Sequence, residues 1–92
     1  MKSVIDGKLY DTEKAEEIAR WDNHIPSNLD RIIKTLYLTK KGNFFLEIFG
    51  GARTFYDTEP PIKALTDEEA KKWLEDHGKA EAYIELFDPE EA

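Results

Sequence analysis

The chain has 92 residues, enough for one domain built around one core but not for a core plus a deep substrate cleft. It has no cysteine, which excludes a disulfide framework and a thiolate metal site. Its formal charge of −7 is unevenly placed: residues 1–56 carry 9 basic and 8 acidic side chains, a net of +1, and residues 57–92 carry 4 basic and 12 acidic, a net of −8. Such a field repels nucleic acid and attracts basic protein surfaces, although acidic helix faces also serve solubility alone. The start of the chain, Met1 to Gly7, lacks the apolar stretch of a signal peptide, and no run reaches the length of a membrane span. The expected location is therefore the cytoplasm, with no membrane partner.

Val4-Ile5, Asp6-Gly7 and Leu9-Tyr10 predict a short hairpin, because Asp-Gly suits the two positive-φ positions of a type I′ turn. Asp11 or Thr12 then caps a predicted helix over 13–22, with Ala15, Ile18, Ala19 and Asp22 at helical spacing and Trp21 anchoring its end. Asp22 to Asp30 is polar, contains Pro26 and has no periodicity, the pattern of a mobile or functional loop.

Ile32 to Thr39 alternates like a strand. Lys40-Lys41-Gly42 suits a type I turn with Gly42 in the left-handed bulge position, and Phe44 to Phe49 returns. Gly50-Gly51 predicts another reversal and Arg53 to Tyr56 a third strand, completing an antiparallel meander. Ile62 to Leu65 follows Pro60-Pro61 as extended chain. Thr66 and Glu69 form a capping box ahead of Ala70, Trp73, Leu74 and His77, and Gly78 ends that helix. Ala80, Tyr83, Ile84 and Phe87 predict a short last helix before an acidic tail over 88–92 that is expected to fray.

The expected fold is α+β, one domain over 1–92. A small antiparallel sheet, made of the three-stranded meander plus the N-terminal hairpin, carries two to three helices on one face, with Trp21 and Trp73 turned toward it.

Little in the sequence points to catalysis. His24 lies in the polar loop and His77 near a helix C-terminus, where capping and packing account for it. A metal site from His24, Asp22 and Asp30 has too few nitrogen or sulfur ligands for zinc. The carboxylates fall on helix faces, and Gly50-Gly51 precedes a turn, not the helix that a phosphate loop requires. The remaining constellation is the meander, where Tyr37, Phe45, Phe49 and either Phe55 or Tyr56 share a face near Lys40, Lys41 and Arg53. Packing in the core, a protein-binding face and a base-stacking face all fit that pattern.

The order of motifs resembles a set of short proteins carried by phages and mobile elements of Gram-positive bacteria. The residues that carry the resemblance are Gly7-Lys8-Leu9-Tyr10-Asp11-Thr12-Glu13-Lys14-Ala15, Trp21-Asp22-Asn23, Thr35 to Leu46, Gly50-Gly51, and Leu65 to Ala70 with Trp73. The resemblance implies a bacterial host cell and an anti-CRISPR-like context, and it brings no catalytic residues. The expected function is thus non-catalytic. In this expectation Asp67, Glu68, Glu69, Glu75, Asp76, Glu81 and Glu85 engage a basic, nucleic-acid-binding surface of a host defence protein such as a CRISPR effector nuclease. No cofactor and no direct nucleic-acid binding are expected. The alternatives are a regulatory or assembly module that dimerises through its sheet, and a nucleic-acid binder that uses Tyr37, Lys40, Lys41, Phe45, Phe49 and Arg53. Monomer and homodimer both remain open.

Overall fold

A computed structural model describes the backbone of residues 1–92 and every side chain except that of Thr58. The strands are β1 (Lys2–Ile5), β2 (Lys8–Asp11), β3 (Glu16–Asp22), β4 (Ile32–Leu38), β5 (Phe44–Gly50) and β6 (Ile62–Leu65). A 3-10 turn spans Phe55–Thr58, and the helices are α1 (Asp67–Asp76) and α2 (Ala80–Phe87). The first two strands pair with each other alone; the other four form an antiparallel sheet in the order β3-β4-β5-β6. The class is α+β, as expected, but the sheet has a fourth strand and both α-helices lie at the C-terminal end.

The two tight turns form as their residues dictate. Asp6 and Gly7 take φ of 50° and 76°, the left-handed pair of a type I′ turn. Between β4 and β5, Gly42 takes φ of 87°, and Thr39 and Asn43 close the turn through a 2.9 Å N–H to carbonyl bond. The Thr39 hydroxyl accepts a second bond from the Asn43 amide. This closure sets Leu36 opposite Leu46 and Tyr37 opposite Phe45.

Residues 16–22 form β3 where a helix over 13–22 is expected. Asp11 accepts three bonds from the chain that follows it: its carboxylate takes the Glu13 amide at 3.0 Å, and its carbonyl takes those of Lys14 and Ala15. The chain therefore turns at the point where the helix would begin. The helical stripe offered only two large apolar side chains, Ile18 and Trp21. As a strand, the same segment gains a full ladder with β4. A register shift between Glu17 and Ala19 marks a bulge at Ile18, and Ile18, Ala19 and Trp21 all pack on the helix-side core.

The third strand expected over 53–56 is also absent. The Gly51 amide donates to Arg31 and the Arg53 amide to Leu29, so this stretch runs on beside the loop before β4 instead of folding back along β5. Gly51 is buried, and a Cβ there would overlap the carbonyl oxygen of Asn28. Thr54 then caps the reversal by donating its hydroxyl to the Gly51 carbonyl at 2.7 Å, and the 3-10 turn follows. The place beside β5 goes to β6, which pairs Leu65 with Phe44 and Ala64 with Phe45.

The sheet has a core on each face. Leu36, Phe44 and Leu46 meet Ala70, Trp73 and Leu74 of α1 on one side, with Tyr83 and Phe87 of α2 packed against them. On the other side Phe45 lies under Tyr10 of the N-terminal hairpin, with Ile62 beside them. The helices do sit on one face, as expected, and β1–β2 covers part of the other. Trp73 faces the sheet, whereas Trp21 belongs to the sheet itself. The His77 ring lies between them, stacked on Trp73 at 4.4 Å and edge-on to Trp21 at 5.4 Å.

Trp73 is only 7% exposed, and its indole N–H has no hydrogen-bond partner among the described residues. Trp73→Ala should therefore lower unfolding stability by about 3–5 kcal/mol in a denaturant titration, a large share of the roughly 5–15 kcal/mol typical of a whole domain. Trp73→Phe keeps a ring on the sheet and removes the unsatisfied donor, so it should cost clearly less.

Candidate binding surfaces

The seven acidic residues singled out in the sequence are all exposed, but they are not equivalent. On α1, Glu68 lies 3.5 Å from the Lys71 ammonium and Asp76 lies 3.5 Å from that of Lys72. Glu69 is committed to the capping box: its carboxylate accepts the Thr66 amide at 3.0 Å, and the Thr66 hydroxyl accepts the Glu69 amide at 3.1 Å. The Thr66 backbone bond is the main reason the Glu69 carboxyl titrates below its ordinary range, followed by the Thr66 side chain and the nearby Lys63 charge. Asp67 and Glu75 remain without a cation in ion-pair range among the described residues. The outer face of α1 is thus a mixture of both signs.

α2 differs. Residues 80–92 hold five acids, Glu81, Glu85, Asp88, Glu90 and Glu91, and no lysine or arginine, for a net of −5. Residues 57–79 hold seven acids and four bases, for a net of −3, so most of the −8 carried by residues 57–92 sits on α2 and the residues after it. Ala82, Tyr83, Leu86 and Phe87 turn inward, while Glu81, Glu85 and Ile84, which is 56% exposed, face solvent.

The meander residues do not form one site. Phe45 is fully buried, with the Tyr10 ring edge-on at 5.4 Å and the Tyr37 ring stacked at 5.1 Å. Tyr37 is half-buried; desolvation, then the Glu47 and Glu17 charges, raise its phenol pKa. Phe49 is 48% exposed but stands at the far end of β5 from Lys40 and Lys41, about 17 Å along the strand. Arg53 is also at that far end, paired with Asp30 at 2.8 Å. Tyr56 turns to the helix side, where the Lys34 ammonium lies 4.8 Å from its ring centre and 5.9 Å from that of Trp21. An aromatic stacking platform beside a basic rim is therefore not assembled on this face.

Two concavities stand out among the described residues. A groove of about 660 Å³ runs between α1, the β5–β6 edge and the 3-10 turn, with Ile48, Tyr56, Pro60 and Trp73 in its wall. Its rim charges cancel, with Lys34, Lys63 and Lys72 set against Glu59, Glu69 and Asp76. The second, about 430 Å³, lies between the N-terminal hairpin and the β4–β5 turn. Lys40 and Lys41 line it from one side, Lys8 and Lys14 from the other. The sequence pattern did not single out Lys8 or Lys14. They come within reach of Lys40 only because Tyr10 docks β2 on Phe45, and no linear spacing announces that contact.

The loop over 22–31 is tied down. Arg31 donates to both carboxylate oxygens of Asp22, whose side chain is only 8% exposed, and the His24 amide adds a third bond at 2.8 Å. The Asn23 side chain accepts the amides of Ile25 and Ile32 and donates to the Asp30 carbonyl. With Asp22 facing Arg31 and Asp30 facing Arg53, the carboxylates of the candidate metal set already have cationic partners. Among the described residues no group of three His, Asp or Glu side chains is placed to hold a metal ion.

Comparison with protein-family models, with curated proteins and with solved structures gives no match, so the functional reading rests on these surfaces.

The loop anchor should be visible in acid. The Arg31 hydrogen bond, then the His24 amide, hold the Asp22 pKa down to about 2 from an ordinary 3.8. A carboxyl lowered by folding contributes stability above its unfolded pKa, and that contribution is lost as pH falls through its folded pKa. Melting temperature should therefore drop between about pH 4 and pH 2, with a shallower drop over that window in Asp22→Asn. Parallel acid profiles for the two proteins would show that the pair contributes nothing.

Proposed function

We propose that this chain is a non-catalytic binding protein that holds a basic partner surface against the outer face of α2 and the acidic residues after it. One observation carries the reading: residues 80–92 hold five carboxylates and no basic side chain, with Glu81, Glu85 and Ile84 exposed together on α2. Glu81 and Glu85 are four apart on one helix face, a like-charge spacing that costs an isolated helix a few tenths of a kcal/mol. A basic partner removes that cost, and Ile84 supplies apolar contact beside the two carboxylates. The ion pairs of Lys71 and Lys72 shift the weight of the surface from α1 toward α2.

The resemblance to short phage and mobile-element proteins makes a host defence nuclease the first partner to test. Occupying its basic nucleic-acid-binding groove would make the chain an inhibitor. Dimerisation through the sheet has less in its favour. β3 is an edge strand with exposed Glu16, Glu17 and Arg20 and a bulge, all features that discourage edge-to-edge pairing.

The test measures association with a purified CRISPR effector nuclease whose guide-binding groove is empty. The variant carries Glu75, Glu81 and Glu85 as lysine; the control carries Glu16 and Glu17 as lysine; circular dichroism confirms both folds. The triple variant should associate roughly tenfold more slowly at low salt, with a smaller difference at physiological salt, and the control should match the parent. Equal effects in both variants, or none in the triple, would leave the acidic surface with no role beyond solubility.

A further inference from the structure

The cleft between the N-terminal hairpin and the β4–β5 turn runs against the charge of the whole molecule. Lys8, Lys14, Lys40 and Lys41 line it, all four exposed, with Asp11 as the one acidic group in its wall. None of the four ammonium groups has a carboxylate in ion-pair range among the described residues, although the chain has 20 acidic side chains. The Asp11 carboxylate, 7% exposed, already accepts the Glu13 amide. The net charge of the wall is thus +3. Two segments remote in sequence bring these lysines to one concavity, where like charges repel one another until an anion enters.

The residue type narrows the anion. Among the described residues the two-pronged contact with a carboxylate, at Asp22, uses arginine, whose planar fork matches that group, while the single-point pairs of Glu68 and Asp76 use lysine. The cleft presents only lysines, which lack that fork and hold phosphate oxygens as compact point charges with three donors each. Asn43 adds a half-buried amide with no side-chain hydrogen bond of its own among the described residues, and Leu9, half exposed, adds an apolar wall. Size and field argue for a short ligand. The volume of about 430 Å³ falls within the ordinary range for small-molecule sites. Without these four lysines the rest of the chain carries −11, that is, −7 minus 4, so a long polyanion leaving the cleft meets a repulsive surface.

We propose that this cleft is a binding site for a small ligand bearing a diphosphate or triphosphate group, held by Lys8, Lys14, Lys40 and Lys41. The site is separate from the acidic face of α2 and does not depend on it.

The experiment titrates the 15N-labelled chain with pyrophosphate, tripolyphosphate, ADP, citrate and a 12-nucleotide single strand, reading amide shifts and calorimetric affinity at two salt concentrations. The phosphates should move the amides of Gly7, Lys8, Gly42 and Asn43 together and bind more weakly as salt rises. The Lys8→Ala/Lys14→Ala and Lys40→Ala/Lys41→Ala pairs should each weaken binding by roughly tenfold or more. Lys71→Ala/Lys72→Ala, on α1, should leave it unchanged. Tighter binding of ADP than of pyrophosphate assigns the ligand to the nucleotides, with Leu9 against the nucleoside; equal binding assigns the site to the phosphate chain itself. The proposal is overturned if none of the phosphates binds, if citrate binds as tightly as tripolyphosphate, if the single strand binds more tightly than ADP, or if the α1 control weakens binding as much as the cleft pairs do.

Discussion

The antiparallel pairing of β4 with β5 is the constraint on which the molecule depends. Leu36 and Phe45 are both fully buried, yet they point to opposite faces of this hairpin and anchor separate cores. With apolar residues on both faces, the usual penalty for a one-residue slip, exposure of a hydrophobic face, is weak. Register therefore rests on the turn, where Thr39 and Asn43 are joined through backbone and side chain and Gly42 takes the left-handed angle. A slip there would carry Phe44 away from Phe87 and Phe45 away from Tyr10, separating the helices and the N-terminal hairpin from the sheet at once.

How much of this was legible depends on whether the decisive contact is local. The Asp6-Gly7 and Lys40-Lys41-Gly42 turns, the Thr66–Glu69 capping box and the Gly78 stop are fixed by neighbouring residues, and each forms where its residues predict. The segment from Glu16 to Asp22 is different. Its spacing fits a thin helical stripe, and it becomes a strand because β4 offers a ladder that no window of sequence contains. Arg53 to Tyr56 goes the same way: the deciding fact is that Gly51 lies against Asn28, and only the fold brings those positions together. The same limit applies to the sites. The acidic surface is readable as charge count, but the partial neutralisation of α1 by Lys71 and Lys72 needs side-chain geometry, and the meeting of Lys8 and Lys14 with Lys40 and Lys41 needs the docking of Tyr10 on Phe45.

The sheet keeps opposite charges apart. Phe44 points to the helix side and touches Phe87 at the end of α2, while the preceding residue, Asn43, borders the lysine-lined cleft. The acidic helix and the basic cleft thus lie near the same end of β5, with the apolar sheet between them. The thickness of the sheet and its two cores holds the two surfaces apart, so each meets solvent on its own side, where salt screens much of their mutual attraction.

The placement of His77 between the two tryptophans has an optical consequence. Trp21 belongs to the sheet edge and Trp73 to α1, and both indoles touch one imidazole. Separation of the helix from the sheet would break this three-ring stack and change the surroundings of both fluorophores together. The tryptophan emission of the unmodified chain consequently follows the seating of α1 on the sheet, whether that seating is lost alone or in global unfolding. Motions confined to the N-terminal hairpin, whose aromatic contact is Tyr10 on Phe45, would leave that signal almost untouched.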